Sequence, residues 1–160
     1  RPGVKWINDL VFGGKKLGGI LTEMALKPGT DDIDYALVGI GINCLQSRED
    51  FPAELADMAT SLSMVCGNPV RPENLAAAMM EALWQMEKTL LTEKQTWITH
   101  YKANCITLGK DIQVIRGDSV MPGKALDVDE DGGLVVQYTD GSIRTVASGE
   151  VSIRGMYGYV

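Results

Sequence analysis

The sequence predicts an α+β fold in two successive units: a sheet with helices up to about Asn104, and a small all-β barrel beyond about Leu108. Three observations lead there. Residues from Val4 to Asn43 alternate in strand fashion between turn signals. Residues from Phe51 to Lys102 shift to helical spacing. After Asn104 that spacing gives way to short strand patterns, each bounded by Gly or Asp turn chemistry.

Taken in order, Val4–Trp6, Asp9–Phe12, Leu17–Leu26 and Ile33–Ile42 read as strands. Gly13-Gly14 supplies the positive-φ positions of a tight turn, and Lys27-Pro28-Gly29-Thr30-Asp31-Asp32 a longer loop. The apolar density of Tyr35–Ile42 suggests a strand buried on both faces. Pro52–Ala59 and Leu62–Val65 read as short helical turns stopped by Gly67-Asn68-Pro69. Arg71-Pro72-Glu73-Asn74 opens the clearest helix, with Pro near N1 and an acidic first turn. Leu75, Met79, Ala82, Leu83, Met86 and Leu90 recur along one side, a stripe that calls for a sheet to cover it. Met79, Met80 and Met86 read as core filler, as do Trp84 and Trp97. A further helix is expected over Glu93–Lys102. Beyond it, Ile112–Ile115, Met121–Val128, Gly133–Tyr138, Ile143–Ala147 and Val151–Arg154 read as strands. Gly117-Asp118, Asp131-Gly132-Gly133, Asp140-Gly141 and Ser148-Gly149 read as their turns.

Charge and composition narrow the function. Lys plus Arg number 15 against 21 Asp plus Glu, a net charge of −6, so the chain as a whole does not offer the positive field of a generic nucleic-acid binder. No apolar run approaches the roughly 18 residues of a membrane helix. Cys44, Cys66 and Cys105 are odd in number and without a CxxC pair, which reads as reduced, cytoplasmic thiols. His100 is the only histidine, with no Ser or Cys partner at motif spacing, and reads as a surface residue near a helix end. The Arg1-Pro2-Gly3 start, entering a strand pattern at once, reads as a cut chain.

The densest polar constellation is Lys5-Trp6-Ile7-Asn8-Asp9 followed by Lys15-Lys16-Leu17-Gly18-Gly19-Ile20-Leu21. Two strands joined at Gly13-Gly14 would bring Asn8 and Asp9 near Lys16. A carboxylate, an amide and an ammonium so placed can hold a metal-bound phosphate. Gly39-Ile40-Gly41-Ile42-Asn43 lacks the third glycine and the following helix of a dinucleotide fingerprint. It reads either as a core strand with close packing or as a ligand wall.

These blocks, in this order, resemble the KWPND, KLAGILxE and GIGIN blocks of biotin protein ligases. The stretches Leu108–Asp118, Asp129–Leu134 and Ser148–Arg154 are similar to that family's small C-terminal domain. The resemblance implies a partial mixed sheet packed with helices over residues 1–104, the C-terminal part of a class II synthetase-like catalytic domain, and an SH3-like barrel over 108–160. It further implies ATP-dependent activation of biotin to biotinyl-5'-AMP and transfer to a lysine of a biotin carboxyl carrier domain, with Mg²⁺ as cofactor. Lys16 then matches the catalytic lysine that contacts biotin and the adenylate phosphate. Asp9 matches the carboxylate near the metal and the incoming lysine. Gly18, Gly19, Ile20 and Gly39 would line the biotin pocket, while Asn8, Asn43 and Arg154 would contact the nucleotide. Ile7 stands where the family usually has proline. No GRGRxGR segment, the family's clamp on biotin and phosphate, occurs in these residues. The expectation is therefore a fragment inactive by itself, with a homodimer permitted by its exposed sheet edge. The competing reading is a noncatalytic binding module.

Overall fold

Turn chemistry decides the first sheet. In the computed structural model, which describes residues 1–147 and 152–155, Gly13 and Gly14 take φ of +58° and +77°. They fold Asp9–Phe12 (β2) back onto Lys15–Leu26 (β3). Gly3–Lys5 (β1) pairs with β2, and Ile33–Ile42 (β4) pairs with β3, giving the antiparallel order β1-β2-β3-β4. Parallel pairing enters only through isolated bridges, Val4 with Cys105 and Lys16 with Ala59, among the described residues.

The helices follow the predicted signals closely. Ser61 caps Leu62–Cys66 (α1), its hydroxyl accepting from Met64 N–H, and Gly67 ends it at φ +64°. Pro72 sits at the start of Pro72–Thr89 (α2), and Lys94–Asn104 (α3) follows. The Phe51–Ala59 stretch forms turns, preceded by a 3₁₀ turn at Arg48–Asp50.

Beyond α3, strands Asp111–Arg116 (β5), Ser119–Val128 (β6), Leu134–Tyr138 (β7), Ile143–Val146 (β8) and Ser152–Gly155 (β9) form a second antiparallel sheet, in the order β8-β7-β6-β5-β9. The expected Ser148-Gly149 turn and Val151 lie outside the described residues.

Three expectations fail, for one physical reason, the third being that Met80 and Trp84 on α2 are exposed rather than core filler. The Tyr35–Ile42 strand is not buried on both faces, and α2 buries none of its residues. Strand β4 is the last strand of its sheet, and Tyr35, Leu37 and Val38 are about half exposed. The stripe of α2 lies across a gap from Val38, Ile40 and Ile42 rather than in contact with them, and Met80 is 70% exposed. An apolar pattern states what a segment can bury, while neighbours decide whether it does.

The compact core is in the barrel: Ile112, Val114, Ala125, Val128, Leu134, Val136, Val146 and Ile153, all nearly inaccessible. Its members alternate along β5 and β7 as a half-buried sheet requires, while on β6 a register shift between Ala125 and Asp127 spaces Ala125 and Val128 three apart. One core member comes from far away in sequence. Trp6, between β1 and β2, inserts into this cluster at 5% exposure. Truncating such a plug costs about 3–5 kcal/mol, so the barrel and the first sheet are packed as neighbours through it.

Candidate functional site

The site begins with an irregularity in the β2–β3 ladder. Asp9 pairs with Gly19 and Leu10 with Gly18, but Val11 pairs with Lys16, so Leu17 is an extra residue on β3. Without the bulge, Lys16 and Gly19 would face opposite sides of the sheet. With it they share the face of Asp9, because a bulge re-aims the side chains on one side of it. Lys16 Nζ then lies 2.5 Å from Asp9 Oδ1.

The backbone around Lys16 is fixed from a second direction. Lys16 N–H donates to Met58 O (2.7 Å), and Thr60 N–H donates to Lys16 O (2.8 Å), so residues 58–60 run beside β3. Asn43 ties this segment in. Its backbone N–H donates to Leu17 O and its side-chain amide to Thr60 O (3.0 Å). Asn8 is held across the sheet: its amide donates to Ile20 O, and Ile20 N–H donates to Asn8 O (2.9 Å).

Asn8, Asp9, Lys16, Gly19, Ile20 and Gly39 line one open cleft of about 510 Å³, together with Leu21, Ile40 and Gly41. Glycine makes its floor: Gly19 is opposite Gly41 across β3–β4, as Gly39 is opposite Leu21. At Gly19 a Cβ would sit 3.3 Å from Asp9 Oδ1 and 3.6 Å from Lys16 Nζ. A ligand lying on that floor can therefore touch backbone and the ion pair together. A larger apolar cavity of about 600 Å³, among Val4, Ile7, Met86, Trp97, Ile98 and Tyr101, holds no comparable polar group arrangement.

Three expected site residues lie elsewhere. Gly18 faces away, and a Cβ there would overlap Gly41 O, so its small size serves strand approach. Asn43 lies outside the cleft lining and donates its side-chain amide to Thr60 O. Arg154 is exposed on β9 opposite Gln113, close enough to Lys5 to oppose its charge.

Lys5 is what residue-by-residue reasoning missed. It is directly opposite Asp9 on β1–β2 and only 8% exposed. Burial lowers the proton affinity of its ammonium, with Lys16 and Arg154 adding to the effect and Asp9 opposing it. Trp6 was missed as well, since an aromatic beside polar residues carries no sign of the remote core it fills. No group of three or more His, Cys, Asp or Glu side chains able to hold a metal occurs among the described residues. Asp9 with the Asn8 carbonyl oxygen is a donor set suited to a cation that arrives with phosphate ligands of its own, as Mg²⁺ commonly does.

Comparison with known proteins fits this architecture. Residues 107–154 match the family model described as the biotin protein ligase C terminal domain. Over 151 residues the chain is 30% identical to the bifunctional ligase/repressor BirA of Bacillus subtilis, covering 94% of this chain and 46% of that protein. It is 29% identical to the biotin--[acetyl-CoA-carboxylase] ligase of Mycobacterium tuberculosis, covering 94% and 53%. The biotin protein ligase of Aquifex aeolicus, solved in complex with biotin and ATP, superposes with a TM-score of 0.79 at 27% identity, over 96% of this chain and 62% of that one. Its apo structure gives 0.80 at 26% identity, over 96% and 65%.

A bulged antiparallel sheet whose edge loop is plugged into a small barrel is thus matched along nearly its whole length by ligases. The chain is similar to biotin protein ligases, its residues 107–154 match their C terminal domain, and it spans about half the length of the curated relatives it matches.

Proposed function

We propose that this chain carries the reacting centre of a biotin protein ligase, which uses ATP to convert biotin to biotinyl-5'-AMP and passes the biotinyl group to a lysine of a biotin carboxyl carrier domain. The observation that carries the reading is the Asp9–Lys16 pair at the rim of a glycine-floored cleft. Adenylation brings two anions together, a carboxylate and an α-phosphate. An ammonium positioned between them lowers their repulsion and stabilises the charge gathered on phosphorus. We assign that position to Lys16, and its backbone, fixed on both sides by residues 58 and 60, supports the reading. Asp9, beside it, can accept a proton from the incoming lysine ammonium, which must become neutral to attack the mixed anhydride.

The role of each residue follows from its place. Gly19, Ile20 and Gly39 receive biotin along the floor, and Gly18 keeps β4 close enough to form it. Asn8, which lines the cleft, and Asn43 and Arg154, which lie outside it, are assigned to the nucleotide on the resemblance. Mg²⁺ would be held by Asp9 with the phosphates and would neutralise part of their charge. We read residues 1–104 as the catalytic part and 108–160 as the SH3-like domain. We keep the cytoplasmic expectation as part of this reading; among the described residues Cys44, Cys66 and Cys105 are free, and no helix is long and apolar enough to cross a membrane.

The test is Lys16→Ala in a full-length ligase built on this sequence, followed by biotin-dependent pyrophosphate release. Loss of one preorganised charge predicts a fall of about 10²- to 10³-fold. Release at the wild-type rate would remove Lys16 from the chemistry.

A further inference from the structure

Val4, Trp6 and Ile7, at the end of β1 and the start of the loop to β2, are each attached to something outside their own sheet. Ile106 N–H donates to Val4 O (2.9 Å). Trp6 N–H donates to Thr107 Oγ1 (2.8 Å), in a buried bond, and the Trp6 indole N–H donates to Gly132 O (2.9 Å). Tyr101 O–H donates to Ile7 O (3.0 Å), and burial pushes the Tyr101 phenol up, which keeps it a donor. The next two residues are Asn8 and Asp9. The loop thus runs from the barrel's core directly into the reactive cleft.

The acceptor side is equally fixed. Gly132 belongs to the Asp129–Gly133 turn, where Asp129 Oδ1 accepts from the N–H groups of Asp131 and Gly133. Lys94 of α3 reaches Asp131 (2.7 Å), and Lys102 reaches Asp127 (2.8 Å). Lys5 closes the seam from below, packed in a tight gap with Thr107, Ile112 and Ile153. Sheet, helix and barrel turn all converge on the Trp6 loop.

We propose that Trp6, held by Thr107 and Gly132, is a positioning residue through which the barrel sets the location of Asn8 and Asp9. This rests on the ligase reading for its catalytic consequence, though not for the mechanical coupling itself. A hydrogen-bonded plug of this kind fixes its loop because an orphaned, buried N–H is unfavourable. Asp9 is two peptide bonds beyond Ile7, the last residue tied to α3 or the barrel, and Asn8 and Asp9 are then held within their own sheet, so a shift of the Trp6 loop is passed to the carboxylate through β2. Positioning errors on the order of 1 Å can reduce catalysis about 10²-fold.

The experiment has two arms. In the 160-residue chain, amide hydrogen exchange is measured for Thr107→Val, which keeps the side-chain shape but removes the acceptor, and for Thr107→Ser, which restores it. Exchange at residues 8–10 rises about fivefold in Thr107→Val, as loss of one net hydrogen bond predicts. Barrel amides such as Val114 and Val136 stay unchanged, and Thr107→Ser matches the wild type. Trp6→Phe, which keeps a ring in the barrel but loses the Gly132 bond, raises the same amides. Unchanged exchange at residues 8–10, or an equal rise throughout the barrel, overturns the coupling. In the full-length ligase, kcat for adenylate formation falls about tenfold in Thr107→Val with KM for biotin within twofold, and Thr107→Ser restores it. A fall in KM and kcat that serine does not rescue overturns the positioning role. A wild-type ligase that makes no adenylate refutes the ligase reading instead, and leaves the exchange result to decide the coupling.

Discussion

Gly18 and Gly19 are adjacent, yet their substitution by alanine should have opposite consequences. At Gly18 a Cβ would overlap Gly41 O and stand 3.2 Å from Ile42 Cα, both backbone of the paired strand. Neither can yield without separating β3 from β4. Overpacking of this kind costs about 1–3 kcal/mol, so Tm should fall by roughly 3–10 °C. At Gly19 the new methyl would meet Asp9 Oδ1 at 3.3 Å and the end of the flexible Lys16 side chain. A shift of a few tenths of an ångström accommodates it, and φ there lies outside the left-handed region. Alanine also narrows the unfolded ensemble by about 0.4–1 kcal/mol, so Tm should stay within about 2 °C of wild type. The methyl stands where the ligand would lie on the floor, and a displacement of about 1 Å predicts roughly 10²-fold slower adenylation. The measurements are thermal unfolding of both variants and pyrophosphate release in the full-length ligase. A Gly18→Ala protein as stable as wild type, or a Gly19→Ala ligase with full activity, would refute the assignment of the two glycines to different faces.

The other expectations concern the barrel and the exposed sheet. Arg154→Ala in the full-length ligase should raise KM for ATP while leaving biotin affinity, read by calorimetry, within twofold. The Lys102 ammonium holds the Asp127 carboxyl below its ordinary 3.8. A depressed carboxylate stabilises the fold above that ordinary value, and the contribution is lost as pH falls through the folded value. Asp127→Asn should therefore lower stability at pH 7 by about 0.5 kcal/mol, the partly exposed pair being screened, and the difference from wild type should shrink progressively as pH falls below the ordinary carboxyl value. The 160-residue chain alone should self-associate in sedimentation experiments through its exposed β3–β4 apolar side chains and should not biotinylate a carrier domain. Leu37→Lys should reduce the association.

Much of the fold was legible because local signals and tertiary structure agree. Gly13-Gly14, the Pro72 helix start, the Gly67 stop and the barrel turns each impose a backbone geometry that the rest of the chain accommodates. The Asn8, Asp9, Lys16 and Gly19 cluster was legible in outline, since a two-strand hairpin brings its ends together. What could not be read is the bulge at Leu17, which decides that Lys16 faces Asp9. Gly18 and Gly19 are indistinguishable as letters, and only the register separates a strand-packing glycine from a floor glycine. Trp6 and Lys5 escaped for a related reason. Their partners Thr107 and Ile153 lie across the whole length of the chain, and nothing in a short motif announces so distant a contact.

The Asp9–Lys16 pair raises a question of its own, because an ammonium engaged by a carboxylate is not available to a substrate. The exposures resolve it. The Lys16 and Asp9 side chains are 43% and 20% accessible, so the pair forms at the edge of solvent rather than in a dry interior. Ion pairs in such places contribute about 0–1 kcal/mol, whereas a charge-assisted hydrogen bond to a bound phosphate or carboxylate contributes more, about 1.5–3 kcal/mol. An anion arriving on the glycine floor can therefore draw Lys16 away at little cost. Asp9 is not abandoned when that happens, since the Lys5 ammonium is directly across the ladder and stays within range of its charge. On the proposed ligase reading, the same exchange would leave the Asp9 carboxylate facing the cleft when the carrier lysine enters. A resting pair that is weak and open thus suits the proposed site, which must first bind anions.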